Sequence, residues 1–238
     1  MLRRLLLCAN LEGQEQRLTT LADLVHAHKP HGLVYVGNIL DPGDAHGVGR
    51  PSHPDDLKLW EKFFNTLGSL QLFSVVVPGY ADVPLREFLR LGKDAEVEFE
   101  HVHIAHATPI EMGDAVFCGV GGDLTENEDR MDGRLAFSRA CAEFYLRNLW
   151  LADPPHKVLM LAVAPPGMLG GRGGNRIAGD FVDTYHPSVA LVAGPTEFRG
   201  TQRIAHTLVI NPGRLADGCA ALLDWNQPVA SQVELLRC

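Results

Sequence analysis

Turns rich in polar residues and glycine stand directly after successive short apolar runs. They read Ala9-Asn10-Leu11-Glu12-Gly13, Gly37-Asn38, Pro78-Gly79-Tyr80-Ala81-Asp82, Ala162-Val163-Ala164-Pro165-Pro166 and Gly194-Pro195-Thr196-Glu197. In open α/β sheets, ligands collect beyond the carboxyl ends of the strands, so five such turns in order predict a site. A second feature is the loop Gly167-Met168-Leu169-Gly170-Gly171-Arg172-Gly173-Gly174-Asn175-Arg176. Consecutive free N–H groups make anion-binding nests, and guanidinium groups pair well with phosphate. Arg172 and Arg176 are therefore candidates for holding a small anionic or phosphate-containing ligand. The same stretch also suits a plain glycine-rich connector.

Other chemistries lack their residues. No G-x-S-x-G, no Walker A loop and no G-x-G-x-x-G after the first strand is present. His101 and His103 share one face of a predicted strand, and His26 and His28 lie at a helix end. His46 and His53 lie in a loop, and no cluster has zinc spacing. The five cysteines, Cys8, Cys118, Cys141, Cys219 and Cys238, form no CxxC pair. They read as free thiols in a reducing, cytoplasmic compartment.

The elements that must position these turns alternate between short Val/Leu/Ile runs and helical patterns, as in an α/β fold. Strands are expected at Leu5–Ala9, Gly32–Val36, Leu72–Val77, Glu96–Ala105, Ala115–Val120, Val158–Val163 and Val189–Ala193. Helices are expected around Leu18–Val25, Leu59–Leu67, Phe137–Leu149 and Ile177–Tyr185. The stretch from about Gln202 to Leu236 reads as an antiparallel meander, broken at Asn211-Pro212-Gly213 and Asp217-Gly218. The 238 residues fit one domain with a long surface loop at about 41–56, built as two sheets face to face with helices outside. A net charge of -8 without a basic patch argues against a nucleic-acid partner. The apolar run at the start is too short for a signal peptide, and no other run is long enough to span a bilayer.

The order of the turns resembles that of the calcineurin-like metallophosphoesterase family, where they read D-x-H, GD, GNH(D/E), a His before a Pro-rich turn, and GHxH. The resemblance runs from Leu5 to about Trp225. It takes in Val75-Val76-Val77-Pro78-Gly79, Gly119-Val120-Gly121-Gly122 and Leu208-Val209-Ile210-Asn211-Pro212-Gly213. It points to a small bacterial subgroup whose metal-binding motifs are degenerate. The implied fold is a four-layer α/β/β/α sandwich with two mixed β-sheets.

Under this resemblance the family's first Asp and His fall on Asn10 and Glu12, and its bridging Asp on Asn38. The third-turn Asn and His fall on Tyr80 and Ala81, although Asp82 keeps its acid. The next His falls on Ala162 or Val163, and the last two on Pro195 and Glu197. One metal position thus keeps oxygen donors only, Asn10, Glu12, Asn38 and Glu197, which implies a single divalent cation (Ca, Mg or Mn) as the candidate cofactor. The other position is lost, with Tyr80 filling its space. Two-metal hydrolysis needs an anionic bridge that holds ions about 3.5–4 Å apart, and Asn38 is neutral.

The expected function is therefore a degenerate, inactive or strongly impaired phosphoesterase-fold protein acting in ligand binding or as a scaffold. The alternative is a metal-dependent phosphoesterase with an altered single-metal, oxygen-ligand site and Asp82 as proton-transfer group. A structural subunit of a homo-oligomer is a third reading.

Overall fold

A computed structural model describes residues 3–43, 53–126, 134–225 and 232–237. The first half contains β1 (Arg4–Ala9), α1 (Arg17–His28), β2 (Gly32–Gly37), α2 (Pro54–Ser69), β3 (Phe73–Pro78), α3 (Leu85–Glu98) and β4 (Val102–Ile104). Next come β5 (Ile110–Met112), β6 (Ala115–Val120), β7 (Asp123–Thr125), β8 (Ala136–Ser138) and α4 (Arg139–Leu151). Then follow β9 (His156–Leu161), α5 (Arg176–Tyr185), β10 (Val189–Val192), β11 (Gly200–Ile204), β12 (Thr207–Asn211), β13 (Cys219–Asp224) and β14 (Val233–Arg237).

These strands make two six-stranded mixed sheets, ordered β14-β13-β1-β2-β3-β4 and β11-β12-β10-β9-β6-β5, and β7 pairs with β8 in a small third sheet. In the first sheet β1 to β4 run parallel, and β13 pairs antiparallel with both β1 and β14. In the second, β6, β9, β10 and β12 run parallel and the edge strands β5 and β11 are antiparallel.

The period-two pattern of the strands explains the layering. On β1, Leu5, Leu7 and Ala9 join a core between the sheets, while Leu6 and Cys8 face a separate core under the helices. Register carries this across: Leu7 lies opposite Val34, and Val34 opposite Val75. Phe117, Val158, Met160 and Leu191 meet them from the second sheet. Residues of α1, α2 and α3, including Leu21, Trp60, Phe63 and Phe88, cover the outer face of the first sheet. Leu146 and Leu149 of α4 and Phe181 of α5 cover the second. Burying each such side chain stabilises the fold by about 1.5–3 kcal/mol, and the result is the α/β/β/α sandwich expected.

Local chemistry sets the helix starts. His53 caps α2, its ring accepting from the Asp55 N–H, while the Asp56 side chain accepts from the His53 N–H and Pro54 opens the helix. Ser138 caps α4, and Asn175 caps α5 by accepting from the Ala178 N–H at 3.2 Å.

Three expectations need correction. Residues 96–98 end α3 rather than begin a strand, and only Val102–Ile104 is extended. The helical recurrence of Leu85, Phe88, Leu91 and Ala95 extends over that stretch. The helix expected from Phe137 begins at Arg139, with Phe137 in β8; of the residues expected on its apolar face, Leu149 is buried, with Ala142 and Leu146, while Phe144 is 59% exposed. The final meander divides: β11–β12 joins one sheet and β13–β14 the other, with the chain crossing after Asn211. Of the expected loop at 41–56, residues 44–52, including His46, lie outside the described residues, as does Cys238. Among the described residues, no helix is long and apolar enough to cross a membrane.

Candidate functional site

Because β1, β2 and β3 are parallel, as are β9 and β10, their carboxyl ends gather on one edge of the sandwich. The turns that follow them line a single cleft of 630 Å³. Asn10, Glu12, Asn38, Tyr80, Ala162 and Pro195 are among its lining residues.

Two asparagines stitch the first three turns together. Asn10, held at φ 53°, accepts the Asn38 N–H on Oδ1 at 2.9 Å, and Asn38 Oδ1 accepts the Ala81 N–H at 2.9 Å. Both are almost fully buried. The backbone must come close for this. A Cβ at Gly37, where φ is 103°, would lie 2.1 Å from Asn10 Oδ1, and one at Gly79 would lie 2.0 Å from Asn38 Oδ1. Each carboxamide oxygen already serves one backbone donor, so it keeps a single lone pair, and the NH2 group beside it is a donor rather than a metal ligand.

Asp82 lies behind the cleft and is fully buried. Its carboxylate accepts from the N–H groups of Ile39 and Leu40 at 3.1 Å, from the Gly79 N–H at 2.7 Å and from Trp60 Nε1 at 3.1 Å. Burial, foremost, pushes its carboxyl up to about 6, against the pull of these donors. Asp82 ties the second and third turns together and does not line the cleft.

Arg214 is a cleft residue that carries no motif in the sequence. It follows the Asn211-Pro212-Gly213 turn and lines the cleft. Its Nη1 meets Glu12 Oε2 at 3.1 Å and its Nε meets Asp217 Oδ2 at 2.8 Å. The Thr196 hydroxyl donates to the same Asp217 oxygen at 2.5 Å and accepts the Arg214 N–H at 3.1 Å. The Thr196 hydroxyl, above all, holds the Asp217 carboxyl below its ordinary value. Burial, above all, raises the Glu12 carboxyl, and Arg214 is the strongest opposing influence.

The opposite wall comes from β7 and the start of α5. Asn175 Nδ2 donates to Asp123 Oδ1 at 3.0 Å and to the Leu124 carbonyl at 2.6 Å, which fixes the glycine loop against β7. Arg176 lines the cleft beside Gly173 and Gly174. Arg134 also lines it, with its guanidinium carbon 5.0 Å from the centre of the Tyr80 ring. Burial raises the Tyr80 hydroxyl, which is in hydrogen-bonding reach of Asn38.

The structure thus brings Asn10, Glu12, Asn38, Tyr80 and Arg176 together, while Arg172 and Glu197 are exposed and outside the lining. Among the described residues, no three His, Cys, Asp or Glu side chains cluster as a metal group. The donor set does not fit a dinuclear metal centre. The bridging position is a neutral amide whose oxygen is engaged, and the Glu12 carboxylate already carries a guanidinium. Asn211, buried and donating to the carbonyls of Leu169, Pro195 and Phe198 at 3.0–3.1 Å, holds the last turn against the glycine loop.

Comparison with known proteins agrees with this architecture. The family model described as metallophosphoesterase, calcineurin superfamily, matches residues 1–234. A solved structure from Thermus thermophilus is 23% identical with a TM-score of 0.83, covering 100% of this chain and 99% of that one. Another is 27% identical with a TM-score of 0.85 and the same coverage. A structure titled as a novel phosphatase of Mycoplasma pneumoniae is 10% identical with a TM-score of 0.56, covering 100% of this chain and 94% of that one. No curated protein matches the sequence. The chain belongs to the calcineurin superfamily of metallophosphoesterases.

Proposed function

We propose that this member of the metallophosphoesterase superfamily binds a phosphate-containing ligand through arginines, where its relatives place metals, and that it does not run two-metal hydrolysis. The observation that carries this reading is Arg214, a guanidinium in the cleft 3.1 Å from Glu12, with Arg134 and Arg176 lining the same cavity. Arginine supplies planar, fork-shaped donors that match phosphate oxygens. The glycine loop before α5 lines the wall that carries Arg176 through Gly170, Gly173 and Gly174, where no side chain keeps a ligand from the backbone. A cleft of 630 Å³ is in the range that encloses a small organic ligand.

Superfamily members usually bind divalent metals, which polarise the phosphoryl group and activate water. Here one Glu12 oxygen is paired with Arg214, whose positive charge disfavours a cation beside it, and the oxygens of Asn10 and Asn38 each already accept a backbone N–H. Without a metal-activated water, the residues that remain in the cleft bind and orient. Asp82 is too deeply enclosed to reach a leaving group.

The test follows hydrolysis of an aryl phosphate monoester and diester in added Mn²⁺, Mg²⁺ or Ca²⁺, with calorimetric phosphate binding measured in chelator. The expected result is binding in chelator, weakened by Arg176→Ala, without turnover in any metal. Metal-dependent turnover that Glu12→Gln abolishes would establish the single-metal phosphoesterase instead.

A further inference from the structure

We infer that Glu12 is a specificity-determining residue: it selects a phosphate ester that carries a hydrogen-bond donor, such as a hydroxyl, beside the phosphate. This rests on the phosphate-binding reading above. Arg214 has two hydrogen-bonding edges with different fates. Its Nε edge is anchored on Asp217, which Thr196 also holds. Its Nη1 meets Glu12 at 3.1 Å and belongs to the cleft wall. A phosphate that takes the remaining Nη hydrogens therefore sits beside the protein's own carboxylate.

Glu12 cannot easily step aside. Its side chain is only 15% exposed. Its backbone, at φ 49°, is pinned by Glu12 N–H to the Asn38 carbonyl at 3.1 Å and by Gly13 N–H to the Ile39 carbonyl at 2.9 Å. The other acids acting on it, Asp41 and Asp217, add negative charge. An anion on Arg214 then packs a second negative group against a half-buried carboxylate, and like charges in a partly dehydrated site are costly. A ligand hydroxyl donating to Glu12 removes that cost. The dianion of a simple alkyl ester offers no such donor, so Glu12 disfavours it, and specificity is gained by penalising the wrong ligand.

The test compares two near-isosteric esters, propyl phosphate and 2-hydroxyethyl phosphate, by calorimetry in chelator. Wild type should bind the hydroxylated ester about tenfold more tightly. In Glu12→Gln and Glu12→Ala the difference should fall to about twofold, because propyl phosphate gains affinity. Equal affinities in wild type would overturn the inference without any variant, as would a preference that survives both substitutions. If neither ester binds wild type, the phosphate-binding reading itself fails. If both bind equally, only the role of Glu12 fails.

Discussion

Replacing Arg214 with Met removes the guanidinium and keeps the apolar stem. The losses follow from its contacts, Nη1 to Glu12 at 3.1 Å and Nε to Asp217 at 2.8 Å. The backbone bond to Thr196 stays. A charge-assisted hydrogen bond contributes about 1.5–3 kcal/mol when water is excluded, and about 0–1 kcal/mol at the surface. The Arg214 and Asp217 side chains are 39% and 36% exposed, so that bond belongs to the lower range, while Glu12 at 15% lies between the two. The expected loss is about 1.5–2.5 kcal/mol, or roughly 3–10 °C in Tm for a chain of this size.

The loss should also depend on pH. Burial already raises the Glu12 carboxyl above its ordinary value, and deleting Arg214 removes the strongest influence lowering it. A carboxyl raised on folding favours the folded state below its unfolded value and loses that contribution as pH rises through its folded value. The deficit of Arg214→Met must therefore shrink as the solution is acidified toward the ordinary glutamate range. Urea denaturation at neutral and mildly acidic pH, with unchanged m, measures it. A variant within about 0.5 kcal/mol of wild type at neutral pH would refute the reasoning. So would a deficit that ignores pH.

Two further perturbations probe the frame around the cleft. Asp82→Asn turns an NH2 toward backbone N–H donors and should cost about 2–4 kcal/mol in urea denaturation, so a neutral result would contradict the buried anchor. The same carboxyl stands at about 6, so its titration favours the folded state below its ordinary value, and that contribution is lost as pH rises through about 6. The stability–pH curve of Asp82→Asn should lack this step. Gly79→Ala sets a Cβ 2.0 Å from Asn38 Oδ1 and 2.3 Å from Asn38 N, and should cost about 2–3 kcal/mol and weaken phosphate binding. Unchanged melting would mean that the turn at Gly79 has room for a methyl group beside Asn38.

Much of the fold was legible because each strand alternates between two buried faces and each turn punctuates a strand end. The helix over Leu85–Glu98 is absent from the sequence expectations: only residues 99–101 separate it from β4, and a strand drawn from Glu96 takes in its end. The closing hairpins looked like one meander because sequence order does not say which sheet a strand joins. At the site, strand-end position identified Asn10, Glu12, Asn38 and Tyr80, since any parallel sheet delivers such turns to one edge. Arg214, which lies 202 residues beyond Glu12, is not among the five turns singled out. The available signal was its place directly after Asn211-Pro212-Gly213, another turn at a strand end. Asp82 looked available for chemistry because an acid in a turn carries no mark of burial. Only the convergence of Ile39, Leu40, Gly79 and Trp60 on it shows that it holds the turns in place.

The most direct test of the central claim is a calorimetric titration of chelator-treated protein with 2-hydroxyethyl phosphate, repeated after saturation with Mn²⁺. An arginine-based site predicts the same affinity in both titrations, reduced by about tenfold or more in Arg214→Met. Binding that appears only with Mn²⁺, and that persists in Arg214→Met, would contradict the account and return the cleft to metal chemistry.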